Sequence, residues 1–323
     1  MKDTVLYIVV PVYKDAEVIK ITCPMFLGQL YKMRDEGLIS DKSRLLFVDD
    51  GSGDDSWDTI KQLCDDNKPY VQGFALSRNR GHQNAVTAGL MEVKDKCDVT
   101  ITIDDDGQDD INAMTTMMKE FDNGCEIVYG VRQNRDTDTF MKRFTAQTYY
   151  KTLNVLGADV IYNHADYRLV SSRALKEFAN FKEVNLFLRG LFPMVGFKST
   201  CVYYDRHERL AGKGHYSISK MFGLAFDGVT SLSVKPLKMI TWFGSFVAFV
   251  SFLLLVYTLI SYFCGNTPQG WASTSCIICF LSGIQMISIG VLGEYIGKIY
   301  LETKQRPRYI ISERYGEDED QRS

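Results

Sequence analysis

Three carboxylates in a row follow a short apolar run. The run Val99–Ile103 is rich in β-branched residues and predicts a strand, and Asp104, Asp105 and Asp106 come directly after it. Neighbouring carboxylates repel one another unless a cation lies among them, and hard oxygen ligands suit Mg²⁺ or Mn²⁺. In open α/β sheets, ligands bind outside the carboxyl ends of the strands. The stretch therefore predicts a metal site, with a solvent-exposed acidic turn as the alternative.

A second predicted strand ends in the same way. Arg44–Val48 is mostly apolar and is followed by Asp49, Asp50 and Gly51. The first strand is not followed by a G-x-G-x-x-G turn, and the sequence contains no Walker-type G-K-[ST] motif, so a glycine cradle for a nucleotide is excluded. The two acidic strand ends instead suggest a diphosphate bridged by a metal ion, and an acid that binds a ribose or a base.

The elements that must position these acids alternate along the N-terminal part of the chain. Further strands are predicted at Val5–Val10, Val71–Leu76 and Glu126–Tyr129, with helices between successive strands and Ser56 as the cap of one helix. Strands that alternate with helices favour a mostly parallel sheet with helices on both faces, a Rossmann-like α/β fold. The acidic strand ends then lie along one edge of that sheet.

A long uncharged segment separates the α/β part from the C-terminal residues. It contains no Asp, Glu, Lys or Arg, and a polar stretch divides it into candidate transmembrane helices at Met239–Phe263 and Trp271–Gly293. Lys and Arg residues flank the pair, the linking loop has no charge, and no segment resembles a signal peptide. We therefore expect a multi-pass protein of the inner membrane with its large N-terminal part and both ends of the pair in the cytoplasm. The net charge of −3 gives no indication of nucleic-acid binding.

Amphipathic segments lie close to the membrane part. Phe140–Leu156 is typical of either a surface helix or an interfacial helix, and His215–Val229 has apolar residues at helical spacing just before the first span. Gly283 and Gly290 on the second span would permit close helix packing and a homo-oligomer. We predict an α/β domain at 1–212, interfacial helices at 213–236, two transmembrane helices at 237–296, and a cytosolic basic and then acidic tail at 297–323.

Six short motifs together resemble one family. They are V-P-V-Y-K-D-A-E at Val10–Glu17, V-D-D-G-S at Val48–Ser52, D-D-D-G-Q at Asp104–Gln108, G-V-R-Q-N-R at Gly130–Arg135, A-D-Y-R-L at Ala165–Leu169 and R-L-A-G-K-G-H-Y at Arg209–Tyr216. The set resembles the polyprenyl-phosphate glycosyltransferases of the GT-A type, in the branch of bactoprenol glucosyltransferases and dolichol-phosphate mannose synthases. The resemblance extends through the paired C-terminal spans. It implies a GT-A fold and a membrane-bound glycosyltransferase of cell-envelope polysaccharide synthesis.

The resemblance also implies roles for individual residues. The implied metal ligands are Asp104, Asp106 and Gln108. The implied catalytic residues are Asp104, Asp106, Asp166, Arg132 and Arg209. The implied nucleotide-sugar-binding residues are Pro11, Tyr13, Asp15, Glu17, Asp49, Asp50, Asp105 and Lys213. The implied acceptor-phosphate-binding residues, whose guanidinium groups match phosphate oxygens, are Arg132, Arg135, Arg143 and Arg209.

The implied reaction is an inverting displacement in which a lipid phosphate oxygen attacks the anomeric carbon of a nucleotide sugar. UDP-glucose and undecaprenyl phosphate are the favoured donor and acceptor. The alternatives are UDP-galactose, a UDP-N-acetylhexosamine or GDP-mannose as donor, a diacylglycerol-type acceptor, and a membrane-tethered nucleotide-sugar-binding subunit without catalytic activity.

The roles of Asp166 and His82 follow less directly from the resemblance. A phosphate acceptor is already ionised at neutral pH, so we expect Asp166 to orient groups through a pair with Arg168, with a general-base role as the alternative. His82 stands where relatives more often have Lys. The four histidines have no metal-ligand spacing, and an ordinary surface or loop role is expected for each.

Overall fold

The structure is a computed structural model that describes residues 3–133, 164–184, 186–207, 234–264 and 270–316. Its strands are β1 (Leu6–Val12), β2 (Arg44–Asp49), β3 (Val71–Leu76), β4 (Val99–Thr102), β5 (Ile127–Arg132), β6 (His164–Ser171), β7 (Ser199–Tyr204) and β8 (Ile311–Tyr315). Its helices are α1 (Ala16–Asp35), α2 (Ser56–Asp66), α3 (His82–Val93), α4 (Ala113–Asp122), α5 (Ser172–Phe178), α6 (Leu188–Met194), α7 (Lys235–Phe263) and α8 (Trp271–Lys304).

One sheet connects all eight strands, in the order β7-β5-β6-β4-β1-β2-β3-β8. β1 pairs in parallel with β2 and β4, β2 pairs in parallel with β3, and β5 pairs in parallel with β7. β6 runs antiparallel to β4 and β5, and β8 runs antiparallel to β3. The predicted mostly parallel α/β sheet is confirmed, although the sequence analysis predicts none of β6, β7 and β8.

Helices cover both faces of the sheet because its central strand is apolar at every position. Leu6, Ile8 and Val10 of β1 pack in one core with residues of α1, α2 and α4. Tyr7 and Val9 point to the opposite face and pack with residues of α3. All seven residues of β1 are buried, as is typical of a strand inside a parallel sheet.

The register of the central strands brings the acidic strand ends to one edge. Val9 of β1 lies beside Thr102 of β4, and Val12 of β1 lies beside Asp49 of β2. The three strands run in the same direction, so the residues after Val12, Asp49 and Ile103 leave the sheet along the same edge. The predicted gathering of polar strand ends follows from this order.

The predicted cap of α2 is wrong by one residue. Asp55 occupies the N-cap position, and Ser56 is the first residue of the helix. The backbone N–H of Ser56 donates to Asp54 Oδ1 at 3.0 Å, so an Asp two residues earlier supplies the oxygen at this helix end. The run of Asp54, Asp55 and Ser56 offers several capping side chains in succession, and sequence alone does not choose among them.

Two helices in the described part of the chain are long and apolar enough to cross a membrane. The candidate spans are Lys235–Leu254 in α7 and Phe280–Lys304 in α8, by length and composition. Large apolar side chains on both helices are exposed, with Trp242 81% exposed. Exposed apolar surface on this scale indicates a lipid or protein environment. The predicted interfacial helices at 140–156 and 215–229 lie outside the described residues, as does the linking loop 265–269.

The predicted tail at 297–323 includes the end of α8 and one further strand. α8 continues to Lys304, and β8 then pairs with β3. Ser312 Oγ donates to the carbonyl oxygen of Ala75 at 3.0 Å, and Trp57 Nε1 donates to Glu313 Oε2 at 2.8 Å. The physical reason is that β3 would otherwise expose an unpaired edge, which this short strand covers. The acidic residues after Gly316 lie outside the described part.

Candidate active site

The acidic loop after β4 turns sharply at Gly107, whose φ of +66° favours glycine. The backbone N–H of Gln108 donates to Asp106 Oδ1 at 3.1 Å, which fixes one carboxylate of the loop. Asp105 and Asp106 are 8% and 9% exposed, and the side chain of Asp104 is partly open to solvent. The three carboxylates therefore lie at the rim of the sheet, where a charged ligand has access to Asp104.

The electrostatic environment of Asp104 favours a cation. Burial raises the pKa of Asp104, and the negative charges of Asp109, Asp166 and Asp106 raise it further, whereas His82 acts in the opposite sense. A raised pKa means that the charged form of this carboxylate is disfavoured in the folded chain. A positive ion at this position would relieve the repulsion.

A divalent ion fits the donor set of this loop. Mg²⁺ and Mn²⁺ favour oxygen ligands, and Mg²⁺ is often held by one or two carboxylates together with substrate phosphates. Within residues that the structure describes, no group of three or more His, Cys, Asp or Glu side chains is arranged to hold a metal. Asp104 and Asp106 are the carboxylates of this loop that could hold the ion.

The third predicted metal ligand, Gln108, is engaged elsewhere in this structure. Its side-chain oxygen accepts a hydrogen bond from Arg206 Nη2, and its side-chain amide donates to the carbonyl oxygen of His207 at 3.4 Å. The side chain would have to leave Arg206 in order to bind an ion. A metal role for Gln108 stays a prediction.

Asp166, on β6, is held by two guanidinium groups. Arg168 Nη2 lies 2.5 Å from Asp166 Oδ1, and Arg189 Nη2 lies 3.1 Å from Asp166 Oδ2. Burial opposes the charged form of Asp166, yet the positive charges of Arg189, Arg168 and His82 outweigh it and hold the pKa of this carboxyl well below its usual range. The predicted pair with Arg168 is present in the structure. Arg189 has no counterpart in the sequence analysis.

His82 stands between the acidic loop and Asp166. Its Nε2 lies 3.6 Å from Asp104 Oδ1 and 3.7 Å from Asp166 Oδ2. It is the first residue of α3 and follows Gly81, whose φ is +86°. The expectation of an ordinary loop role for His82 misses this position. The available signal was its location after β3, which ends at the same edge of the sheet.

Arg132, at the end of β5, is paired with a buried acid that the sequence analysis did not identify. Arg132 Nη2 lies 3.3 Å from Asp109 Oδ1, and the Tyr204 hydroxyl donates to the same oxygen at 2.8 Å. Burial lowers the pKa of Arg132, but Asp109 and Tyr204 more than compensate and raise it. The predicted phosphate-binding arginine therefore stays charged beside the acidic loop.

The acidic end of β2 is bound within the protein. Asp49 Oδ1 accepts a hydrogen bond from Ser52 Oγ at 2.5 Å. Asp50 accepts the backbone N–H groups of Arg80 and Gly81 at 2.7 and 2.9 Å, which ties the β2 end to the loop after β3. Burial raises the pKa of both carboxyls, although these hydrogen bonds act to lower it.

The remaining predicted site residues divide into three groups. Pro11 is buried in β1, and Tyr13 is exposed just beyond the end of that strand. Asp15 accepts backbone N–H groups of α1 through its carbonyl oxygen, whereas Glu17 is 81% exposed at its side chain and pairs with Lys20 at 2.7 Å. Glu17 is therefore directed to solvent rather than to the acidic loop. Arg135, Arg143, Arg209 and Lys213 lie outside the described residues.

Two family models match the chain. The model described as "Glycosyl transferase family 2" matches residues 7–179, which run from β1 through β6 and α5. The model described as "GtrB C-terminal hairpin" matches residues 235–299, which contain α7 and most of α8. Together the two models cover six strands of the sheet and most of the apolar helix pair.

Similar proteins match over nearly the whole chain. Glycosyltransferase YkoT of Bacillus subtilis (strain 168) is 47% identical over 307 residues, covering 95% of this chain and 91% of the relative. Bactoprenol glucosyl transferase of Shigella phage SfX is 38% identical over 309 residues, covering 95% of this chain and 98% of the relative. Among solved structures, mannosyltransferase PcManGT from Pyrobaculum calidifontis in complex with GDP-Man and Mn²⁺ has a TM-score of 0.45 at 12% identity, covering 92% of this chain and 88% of that one.

Proposed function

The chain belongs to glycosyl transferase family 2, and we propose that it transfers glucose from UDP-glucose to a polyprenyl phosphate with inversion at the anomeric carbon. The observation that carries the proposal is the juxtaposition, at one sheet edge, of Asp104 with Asp166 and its two arginines. The relative named bactoprenol glucosyl transferase, similar over almost its full length, supports both the glucosyl group and the polyprenyl acceptor.

The strand ends divide the proposed donor site into two parts. Metal binding is typical of the family, and Mg²⁺ or Mn²⁺ held by Asp104 and Asp106 would offset negative charge on the leaving diphosphate. Pro11, Tyr13 and Asp49, at the ends of the neighbouring strands β1 and β2, are proposed to contact the nucleotide. The order β4-β1-β2 supports this division, because it sets the two parts side by side.

The acceptor is proposed to bind beside Asp166. A phosphate monoester is largely ionised at neutral pH, so its oxygen needs no base to become nucleophilic. A carboxyl whose pKa lies well below the usual range is also a poor proton acceptor. Asp166 is therefore proposed to hold Arg168 and Arg189 in place. Arg132 and Arg189, together with the predicted Arg135, Arg143, Arg209 and Lys213, are the proposed cations for the phosphates.

The membrane arrangement is proposed to be that of a multi-pass inner-membrane protein with its catalytic sheet in the cytoplasm. β8 follows both apolar helices and pairs with β3, so the start of α7 and the end of α8 both belong on the side of the sheet. The Lys and Arg residues at those two ends support a cytoplasmic position for that side. A homo-oligomer through the second span stays a prediction.

A donor and acceptor panel tests the proposal. The chain in detergent is given UDP-glucose, UDP-galactose, UDP-N-acetylglucosamine or GDP-mannose, each with undecaprenyl phosphate or with diacylglycerol, in the presence of Mg²⁺ or Mn²⁺. We expect glucose transfer to undecaprenyl phosphate to exceed every other combination by at least about tenfold in kcat/KM. The Asp104→Asn variant gives the background rate.

Each other outcome points to one alternative. Faster transfer from another nucleotide sugar would overturn the assignment of glucose and leave the lipid acceptor in place. Transfer to diacylglycerol alone would overturn the phosphate acceptor and restore the need for a general base. Binding of nucleotide sugars without transfer to either lipid would favour the non-catalytic binding subunit.

A further inference from the structure

The chain that leaves the second apolar helix contacts the loop that precedes α6. Glu302, in the last turn of α8, accepts the backbone N–H of Val184 with both carboxylate oxygens, at 2.8 and 2.9 Å. Arg308, a few residues further on, donates from Nη2 to the carbonyl oxygen of Phe181. Two side chains, one in the last turn of α8 and one just after that helix, therefore hold two backbone groups of the segment Phe181–Val184.

The same stretch of chain continues into α6, whose first turn reaches the candidate active site. The N–H of Leu188 donates to Gln83 Oε1 at 2.8 Å, and the carbonyl oxygen of Leu188 accepts from Arg168 Nη1 at 3.3 Å. Arg189 is the next residue and pairs with Asp166. The start of α6 is thus bound to the residue after His82 and to both members of the Asp166–Arg168 pair.

The contact at Val184 is part-buried, since Val184, Glu302 and Arg308 are each intermediate in exposure. Burial raises the pKa of Glu183, and the nearby charge of Glu302 raises it further while Arg308 opposes. Burial also lowers the pKa of Arg308. Hydrogen bonds of charged groups are stronger and more directional in such surroundings than fully hydrated surface pairs.

We propose that Glu302 and Arg308 are positioning residues that hold Phe181–Val184 and thereby set Arg189 against Asp166. The proposal links the exit of the membrane hairpin to the site of sugar transfer through one continuous stretch of chain. It rests on the proposed function only in using glycosyl transfer as its readout.

Variants at Glu302 test the proposal, with a variant at Arg314 in β8 as the matched control. Glu302→Ala removes the acceptor for Val184, whereas Glu302→Gln keeps one oxygen for it. Arg314→Gln breaks the pair between Arg314 and Glu92, 3.1 Å apart, without touching Phe181–Val184. We expect Glu302→Ala to lower kcat by about tenfold or more with the KM for UDP-glucose within about twofold, because small displacements of positioned groups act on turnover.

The two other variants separate positioning from general destabilisation. Glu302→Gln should recover more than half of the turnover, and Arg314→Gln should leave kcat within about twofold even where it lowers Tm. An unchanged kcat in Glu302→Ala, or an equal loss in Arg314→Gln, would overturn the proposal. If Glu302→Ala does not fold, Glu302→Gln alone decides, with an expected loss of turnover smaller than about twofold and a normal KM for the donor.

A double-mutant cycle tests the path through Arg189. If Glu302 acts through Arg189, Glu302→Ala should cost less than about twofold in an Arg189→Lys background, because the two changes affect one unit. A full tenfold further loss would show independent roles and contradict the proposal. If the parent chain transfers no sugar at all, the proposed function is wrong. If the parent chain is active and the Glu302 variants are as active as the parent, this inference is wrong.

Discussion

The two acidic strand ends, Asp49–Asp50 after β2 and Asp104–Asp106 after β4, share a sequence pattern and differ in what they bind. Both follow buried strands, and both turn at a glycine with positive φ, +61° at Gly51 and +66° at Gly107. The carboxylate of Asp49 accepts a hydrogen bond from Ser52, and that of Asp50 accepts hydrogen bonds from the loop after β3. Asp104 instead faces His82 and a group of like charges.

Neighbouring loops decide which carboxylates have their oxygens occupied within the protein. Asp50 joins the ends of β2 and β3 because the loop after β3 offers it two backbone N–H groups. Burial raises the pKa of Asp104, and the carboxylates of Asp166 on β6 and of Asp106 and Asp109 in its own loop raise it further. The first end therefore joins two loops through hydrogen bonds, and the second places a carboxylate among like charges that a positive ion would offset.

The largest expected effect is loss of turnover at the β4 end. Asp104→Asn should lower kcat by about a thousandfold, since loss of a ligand to a charge-neutralising ion costs several kcal/mol of transition-state stabilisation. The apparent Tm in detergent should stay the same or rise, because one of several repelling charges is removed. Asp110→Asn, in the same loop, is the control and should keep its activity. If Asp104→Asn lowered the Tm as much as an Asp50 variant does, the proposed difference between the β2 and β4 ends would be wrong.

A smaller effect is expected from the glycine at the β2 end. A Cβ at Gly51 would lie 2.3 Å from the backbone carbon of Arg78, whereas a Cβ at Gly53, also at positive φ, meets no heavy atom within 4 Å. Gly53→Ala should cost about 1 kcal/mol of stability and Gly51→Ala roughly 3 kcal/mol, from strain and overpacking together. Tm values of the two variants check the difference. Equal losses would mean that the β2 and β3 loops are not in close contact.

Asp50→Asn should have a still smaller effect, on stability more than on turnover. Asn keeps one acceptor oxygen and places an amide beside one of the two N–H donors of Arg80 and Gly81, at a cost of about 2 kcal/mol. We expect Asp50→Asn to lower the Tm. Its effect on the KM for UDP-glucose should be smaller than the effect of Asp104→Asn on kcat. A normal Tm with strongly impaired nucleotide binding would instead make Asp50 the nucleotide-binding acid that the sequence predicts.

The smallest effect is a dependence on pH at Asp49. Burial raises the folded-state pKa of Asp49, so its ionisation destabilises the fold increasingly as the pH rises from the unfolded-state pKa to the raised one. Below its unfolded-state pKa of about 3.9 it is protonated in both states and has no such effect. The Tm of the parent relative to Asp49→Asn should therefore fall as the pH rises from about 4 through the raised pKa. A difference that grows with pH would mean that the Ser52 hydrogen bonds outweigh burial.

Much of the sheet could be predicted because its strands are local patterns. β1 to β5 are apolar runs bounded by polar residues, and the rule for strand ends then brings the acids to one edge. β6 contains Asp166 and Arg168 among apolar residues, and only the resemblance drew attention to it. β8 reads as part of a charged tail, because its sequence Ile311–Tyr315 becomes a strand only where β3 offers an open edge.

The partners of the site residues were less accessible to sequence reasoning. Arg189 reaches Asp166 from 23 positions away, and the contact depends on how α6 packs. In the sequence, Asp109 is one of several acids in an acidic loop. In the structure it is buried and contacts Tyr204 and Arg132. Such pairs depend on tertiary packing, which motif spacing does not encode.

The position of β8 in the chain has a consequence for biosynthesis. A ribosome makes the strands β1 to β7 first, then both apolar helices, and only then the strand that covers β3. Until that moment the nascent sheet carries an open edge with unpaired N–H and C=O groups, the kind of surface that recruits other extended chains. The sheet is therefore completed only after both apolar helices have been synthesised, and a chain interrupted within them is left with an unpaired edge along β3.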